Sequence, residues 1–223
     1  MAKLPSMKTD NPVFRFMGKL GDVVLLNVTW LACCLPVVTA GAATTALFYA
    51  ARKLAANEEY RVFHDFFHSF RANLRQATVF WLGLLCALAA AGANLWIGLH
   101  TDSALGNVCR GVGAVLLVLW LALEGHAFPL LARYDYRLGR LTLDALRLAV
   151  TKPHITVIHI LLAVWLPALL FLDPNVFAFC LPLWLLAGGA ASAVAVSGLL
   201  LPVQRDIEKK QQEKEEESCP SSN

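Results

Sequence analysis

Four stretches of this chain stay apolar for about the length a bilayer core demands. They are Ala77–Leu99, Gly111–Ala132, Ile155–Leu172 and Val176–Val203, each bounded by charge, proline or turn residues. A hydrocarbon layer of about 30 Å is crossed by about 20 helical residues. Inside it every backbone polar group needs an internal partner, so the spanning elements of such a chain are helices. Composition agrees. Charged residues make up 16% of the chain and hydrophobic residues 57%, against about 25% and 45–50% in a soluble domain. The expected fold class is all-α, a polytopic membrane helical bundle.

A fifth apolar region, Leu20–Ala51, is long for one span and short for two. Pro36 sits in its middle and disfavours helix both at itself and at the residue before it. Charge arbitrates. The connections Pro36–Gly41, Leu99–Asn107 and Leu172–Asn175 carry no Lys or Arg. The connection from Arg52 to Arg75 holds Arg52, Lys53, Arg61, Arg71 and Arg75, and that from Arg133 to Lys152 holds Arg133, Arg137, Arg140, Arg147 and Lys152. The positive-inside rule assigns these two loops to the cytoplasm. A hairpin broken at Pro36 then puts both termini inside and gives six segments, about 20–35, 37–53, 77–99, 111–132, 155–172 and 176–203. A re-entrant loop or one kinked span, with five segments in all, is the alternative. Arg110 fits neither arrangement. Residues 1–204 read as one membrane domain, and 205–223 as a charged, disordered cytoplasmic tail. The basic N-terminus and the run that follows could pass for a signal peptide, with Val38-Thr39-Ala40 as a cleavage site. The run continues to Ala51, so it reads as retained membrane structure.

Both basic loops carry amphipathic helices. Phe63, Phe66, Phe67, Phe70 and Leu74 recur at helical spacing, with His64, Asp65, His68, Arg71 and Arg75 on the rest of the surface. Such a helix suits either the headgroup region or docking under the bundle. In the second loop Leu138, Leu141, Ala145, Leu148 and Ala149 oppose Arg137, Arg140, Asp144, Arg147 and Thr151. Each helix leads directly into a span, which hints at an internal repeat of helix followed by span.

Candidate chemistry is sparse. Glu124 lies inside an apolar run, where an ionisable group is costly and needs a partner. His126, His159 and Asn94 are the candidates. The alternative is a protonated or hydrogen-bonded Glu124 that serves packing. His64 and His68 are spaced as metal ligands, but no third ligand follows, and a solvated polar face is the expectation. Pro36, Pro129, Pro167 and Pro182 interrupt spans, either as substrate-binding breaks or as kinks. Gly83, Ala87 and Ala91, like Gly189, Ala193 and Ser197, recur every four residues as in close helix packing. The six cysteines form no C-x-x-C pair, so no disulfide or metal framework is expected. A net charge of +3, spread between apolar runs, gives no nucleic-acid footprint. Enzyme motifs are absent, and neither enzymatic activity nor a cofactor is expected.

Three blocks carry a resemblance. The first is Phe16-Met17-Gly18-Lys19-Leu20-Gly21-Asp22 with Leu26-Asn27-Val28-Thr29-Trp30, Leu35-Pro36-Val37-Val38-Thr39-Ala40-Gly41-Ala42 and Ala46-Leu47-Phe48-Tyr49. The second runs from Asp65 to Gln76, and the third is Phe128-Pro129-Leu130-Leu131-Ala132-Arg133-Tyr134. They resemble the YesL family, bacterial multi-pass membrane proteins of unknown function. The likeness spans most of Val13 to Lys152. Glu124-Gly125-His126 departs from the apolar or aromatic residues expected there, which argues against a family-wide role for Glu124. The resemblance implies a plasma-membrane protein often encoded beside ABC-type carbohydrate uptake systems. The resulting expectation is a non-enzymatic accessory component, partnered by the bilayer and a transporter permease or another membrane protein. The alternative is a small secondary transporter or channel that uses Glu124 and the proline breaks.

Overall fold

A computed structural model describes residues 12–59, 61–101, 103–134 and 138–202. The basic N-terminus and the tail from 205 lie outside them. Among the described residues the regular elements are all helical. Four helices are long and apolar enough to cross a membrane, or five when one bent pair counts as a span.

Helix α1 covers Pro12–Cys34 and stops where Leu35 meets Pro36. The chain turns through a 3₁₀ segment, Val37–Thr39. Carbonyls freed at the break find new donors. The Thr39 hydroxyl donates to Cys33 O at 2.8 Å, and Trp81 Nε1 donates to Val37 O at 2.8 Å. The break expected at Pro36 is therefore present and satisfied.

Helix α2, Ala40–Ala55, has 16 residues, or about 24 Å of rise. It falls short of a bilayer core. It is instead the most enclosed element, with Ala42, Ala43, Ala46 and Ala51 at 0% exposure. Small residues allow this. A Cβ on Gly41 would lie 2.4 Å from Trp81 Cβ and 2.7 Å from Ala77 O, so α2 rests almost directly on its neighbour. The second half of Leu20–Ala51 is thus a core helix rather than a lipid-facing one.

Helix α3, Val62–His100, runs unbroken for 39 residues, about 58 Å. The amphipathic stretch and the apolar stretch expected as helix-then-span are one helix, because Arg75-Gln76-Ala77-Thr78 contains no Gly or Pro to interrupt it. Its first turn is clasped to α2. Asp65 accepts from Arg61 N at 2.9 Å and from Lys53 Nζ at 3.0 Å. Burial alone would push the Asp65 carboxyl up, but these two donors hold it below its usual value. A depressed folded value means this contribution is complete above about pH 4 and fades as pH falls through the folded pKa. The thermal midpoint in detergent should therefore drop on the acid side in the wild type and much less in Asp65→Asn. Parallel pH profiles would remove the clasp from the account.

Helix α4, Ala104–Leu131, returns alongside α3 and is capped by Ser103, whose Oγ accepts from Gly106 N. Arg110, the charge that fitted neither topology, donates from Nε to Gly98 O at 2.6 Å. It sits at the carbonyl end of α3, where a cation is favoured. Helix α5, Leu138–Thr151, buries Leu141, Ala145 and Ala149. It meets α6, Pro153–Leu172, at a 99° bend, where Lys152 precedes Pro153. The two basic loops therefore differ: one helix runs straight into its span and the other turns sharply. Helix α7 starts at Pro174, passes through a π turn at Trp184–Gly188, and its helical run reaches Pro202.

The core joins α1, α2, α3, α4, α6 and α7 around Leu26, Phe48, Phe66, Phe128, Ile155 and Val196. Outside it the surface is apolar, with Val115, Val118, Leu161, Phe171 and Phe179 all more than half exposed. Apolar area on that scale belongs in lipid or against a partner rather than in water.

Candidate functional site

Glu124 and His159 come together. His159 Nε2 of α6 lies 3.7 Å from Glu124 Oε2 of α4, with both side chains mostly buried. The separation is just beyond hydrogen-bond length. Glycine makes the approach feasible. A Cβ on Gly125 would fall 2.3 Å from His159 Cδ2 and 2.6 Å from its Cγ, so the imidazole lies flat on the α4 backbone.

His126, the next residue, is fully buried. Its Nδ1 is 3.0 Å from Ala122 O, so Nδ1 carries a proton, and in the neutral imidazole Nε2 keeps a lone pair. Among the described residues neither His126 Nε2 nor His159 Nε2 has a hydrogen-bond partner. Buried polar atoms normally have one, so this is the polar hot spot of the bundle interior. Asn94 does not join it. Its amide donates to Ala90 O on its own helix at 2.8 Å, a local arrangement that needs no tertiary partner.

Glu124 and His159 line a cavity of about 120 Å³, walled by Trp30, Thr44, Phe48, Trp184 and Ser192 among others. Liquid water occupies about 30 Å³ per molecule, and an engineered cavity of about 150 Å³ holds benzene. This cavity therefore matches a few waters or a small ion better than a sugar ring. Its aromatic wall is ordered: Trp30 and Trp184 meet edge to face at 6.3 Å, and Trp30 Nε1 donates to Thr44 Oγ1 at 3.3 Å.

One residue that sequence reading did not single out holds this wall. The fully buried Asn27 donates from Nδ2 to Leu185 O at 2.7 Å and accepts from Ala190 N at 2.7 Å. These are the two backbone groups an i→i+5 turn would pair, and the amide stands between them. Asn27 thus props the π turn open. Pro182 lies just before that turn and Gly188-Gly189 at its end. A Cβ on Gly189 would meet Trp30 at 2.5 Å and Asn27 Oδ1 at 2.9 Å. The available signal was an amide inside an apolar run, which is costly without a partner. π turns are frequent at functional sites.

The remaining sequence candidates lie elsewhere. Phe66 is fully buried and Phe70 packs on the core, while Phe63 and Phe67 point outward at 53% and 38% exposure. The aromatic stripe is therefore divided between core and surface. His64 and His68 stack at 6.3 Å. Among the described residues no group of three or more His, Cys, Asp or Glu is arranged to hold a metal. Pro36 forms the α1–α2 break, Pro129 is buried within α4, and Pro167 lies inside α6. Cys33, Cys34, Cys86, Cys109 and Cys180 are free thiols.

A family described as "Protein of unknown function, DUF624" matches residues 23–95. No curated protein and no solved structure matches the chain. The matched stretch supplies Asn27, Trp30, Thr44 and the Lys53–Asp65 clasp but stops short of Glu124 and His159. In the second half of α1, α2 and most of α3, this chain is similar to DUF624, whose description carries no activity.

Proposed function

We propose that this chain is a small membrane transporter or channel in which Glu124 and His159 form a protonatable site for protons or a small ion. The observation that carries the reading is the carboxylate–imidazole pair at 3.7 Å facing a cavity inside the apolar bundle. An ionisable pair at such depth is costly and is functional by default. The π turn and Trp184 supply an adjustable wall, as broken helices do in transporters. In this proposal six segments surround the site, with α2 as the short one, and both termini face the cytoplasm of a bacterial plasma membrane. The DUF624 match fits a YesL-like identity, which forms part of the proposal.

The test is proton or cation flux in proteoliposomes, followed with an internal pH dye. The wild type should dissipate an imposed gradient, and Glu124→Gln should slow this by about tenfold or more. That is about 1.4 kcal/mol added to the barrier. Absence of flux in the wild type, or unchanged flux in the variant, would overturn the reading.

A second reading draws on cavity size. A volume of about 120 Å³ leaves little room for a sugar, so a link to ABC-type carbohydrate uptake would run through a partner. The chain would then be a non-enzymatic accessory to a permease, docked through its exposed apolar faces. A permease co-purifying in mild detergent supports it; recovery of the chain alone counts against it.

A further inference from the structure

A second pocket lies where α2, α3 and the end of α4 meet, apart from the Glu124 site. It encloses about 200 Å³ and is lined by Tyr49, His68, Ser69, Asn73, Arg133 and Tyr134, with three aliphatic residues completing the wall. Its chemistry is one-sided. Among the described residues it offers a guanidinium, an imidazole and three hydroxyls and no carboxylate, while the Asn73 amide is engaged by Ser69 O at 3.0 Å and Ser69 Oγ at 3.3 Å. Ser69 is buried, and its Oγ lies 3.3 Å from Asn73 Nδ2 as acceptor, which leaves the hydroxyl hydrogen to donate. The Arg133 guanidinium stands over the Tyr134 ring at 5.7 Å, a stacked arrangement that orders its fork of donors. Lys53 stands 5.2 Å over the Tyr49 ring, but its charge is paired with Asp65 and adds little to the pocket.

Position adds to composition. His68, Ser69 and Asn73 precede the apolar stretch that begins at Ala77, and Arg133 follows the one that ends at Ala132. Two independent helices thus bring donors to one level, the edge of the apolar layer. The backbone does not help. The carbonyl end of α4 points here, and the N–H groups of Arg133 and Tyr134 are both donated to Leu130 O. An anion would be held by side chains, with Arg133 offsetting the negative helix end.

We propose that this pocket binds a phosphate group, carried either by a lipid headgroup or by a soluble phosphorylated metabolite. The proposal does not depend on the role of Glu124. The two sources share their chemistry. A bilayer phosphate would reach the pocket from the interface, where basic residues meet anionic lipid, and a soluble phosphomonoester from the aqueous side.

Native mass spectrometry of the full chain in mild detergent tests it with paired probes. One pair is phosphatidylglycerol and diacylglycerol; the other is glucose 6-phosphate and glucose. The phosphorylated member of one pair should bind at least about tenfold tighter than its phosphate-free analogue, and the pair that responds identifies the source. Arg133→Gln should remove about tenfold or more of that affinity. Arg140→Gln, outside the pocket, should leave it within about twofold. Should Arg133→Gln fail to fold, Tyr49→Phe, which removes one hydroxyl, should weaken binding by about threefold or more. The proposal fails if neither phosphorylated probe is preferred, if a folded Arg133→Gln or Tyr49→Phe binds like the wild type, or if Arg140→Gln loses as much as Arg133→Gln.

Discussion

Replacing Asn27 by Leu should destabilise the folded chain by about 2–6 kcal/mol. The substitution strips partners from Leu185 O and Ala190 N together, and a buried backbone group left unsatisfied costs about 1–3 kcal/mol. Leu is similar in size, so lost packing contributes little. The experiment is thermal or denaturant unfolding in a fixed detergent, read beside tryptophan emission because Trp30 and Trp184 flank the turn. If α7 can rewind into regular α-helix, Leu185 O and Ala190 N regain partners within the helix. The stability loss would then fall below about 1 kcal/mol while the emission shifts as Trp184 rotates. That pairing would mean Asn27 imposes the π turn rather than accommodating it. A small loss with unchanged emission would contradict the described role altogether.

Gly125→Val should cost about 2–3 kcal/mol and separate His159 from Glu124. Even the first added carbon would lie 2.3 Å from the imidazole, and overpacking of this kind costs about 1–3 kcal/mol. The Ala variant is the informative companion. Ala is better than Gly in a helix by about 1 kcal/mol, which offsets much of the clash. Gly125→Ala should therefore leave stability within about 2 kcal/mol of the wild type. It should still lower gradient dissipation as strongly as Glu124→Gln, since the imidazole has to move away. Equal flux in Gly125→Ala and wild type would show that the close approach of His159 is unnecessary. In Gly125→Val, a stability change under about 1 kcal/mol would show that the α4–α6 contact is looser than described.

Much of this arrangement is visible in local patterns. Pro36 breaks the first apolar region because proline acts on its own backbone and on its immediate neighbour. Glu124 could be matched to His159 because few polar side chains sit inside the apolar runs, whereas His126 bonds Ala122 O on its own helix. Other features needed tertiary information. Charge counting weighs the ends of a segment, and it treats 37–53 like any other span. Only packing shows that α2 is short and enclosed, since its alanines fit lipid and protein interior equally well. Asn94 looked equivalent to His159 by depth alone, but it satisfies itself against Ala90 O. The Asn27 device is illegible for a sharper reason. Its partners are 158 and 163 residues away along the chain, and the π turn they stabilise has no periodicity of its own. Arg110 was anomalous while only loop location was considered, and became ordinary once the carbonyl end of α3 lay beside it.

The unbroken length of α3 has a mechanical consequence. A helix of 39 residues without Gly or Pro between Val62 and Gly83 behaves as a stiff rod over that stretch. Its outer third projects beyond the apolar stretch and presents Phe63 and Phe67 on its surface. A displacement there would strain the Lys53–Asp65 clasp and the packing of Phe66 as well as Ala77 and Trp81, the two residues against which α2 is seated. The α5–α6 joint is bent by 99°, so no such continuous helix joins the second basic loop to its span. One basic loop is thus joined to its span by a continuous helix and the other by a corner, with the carboxylate–imidazole pair between them.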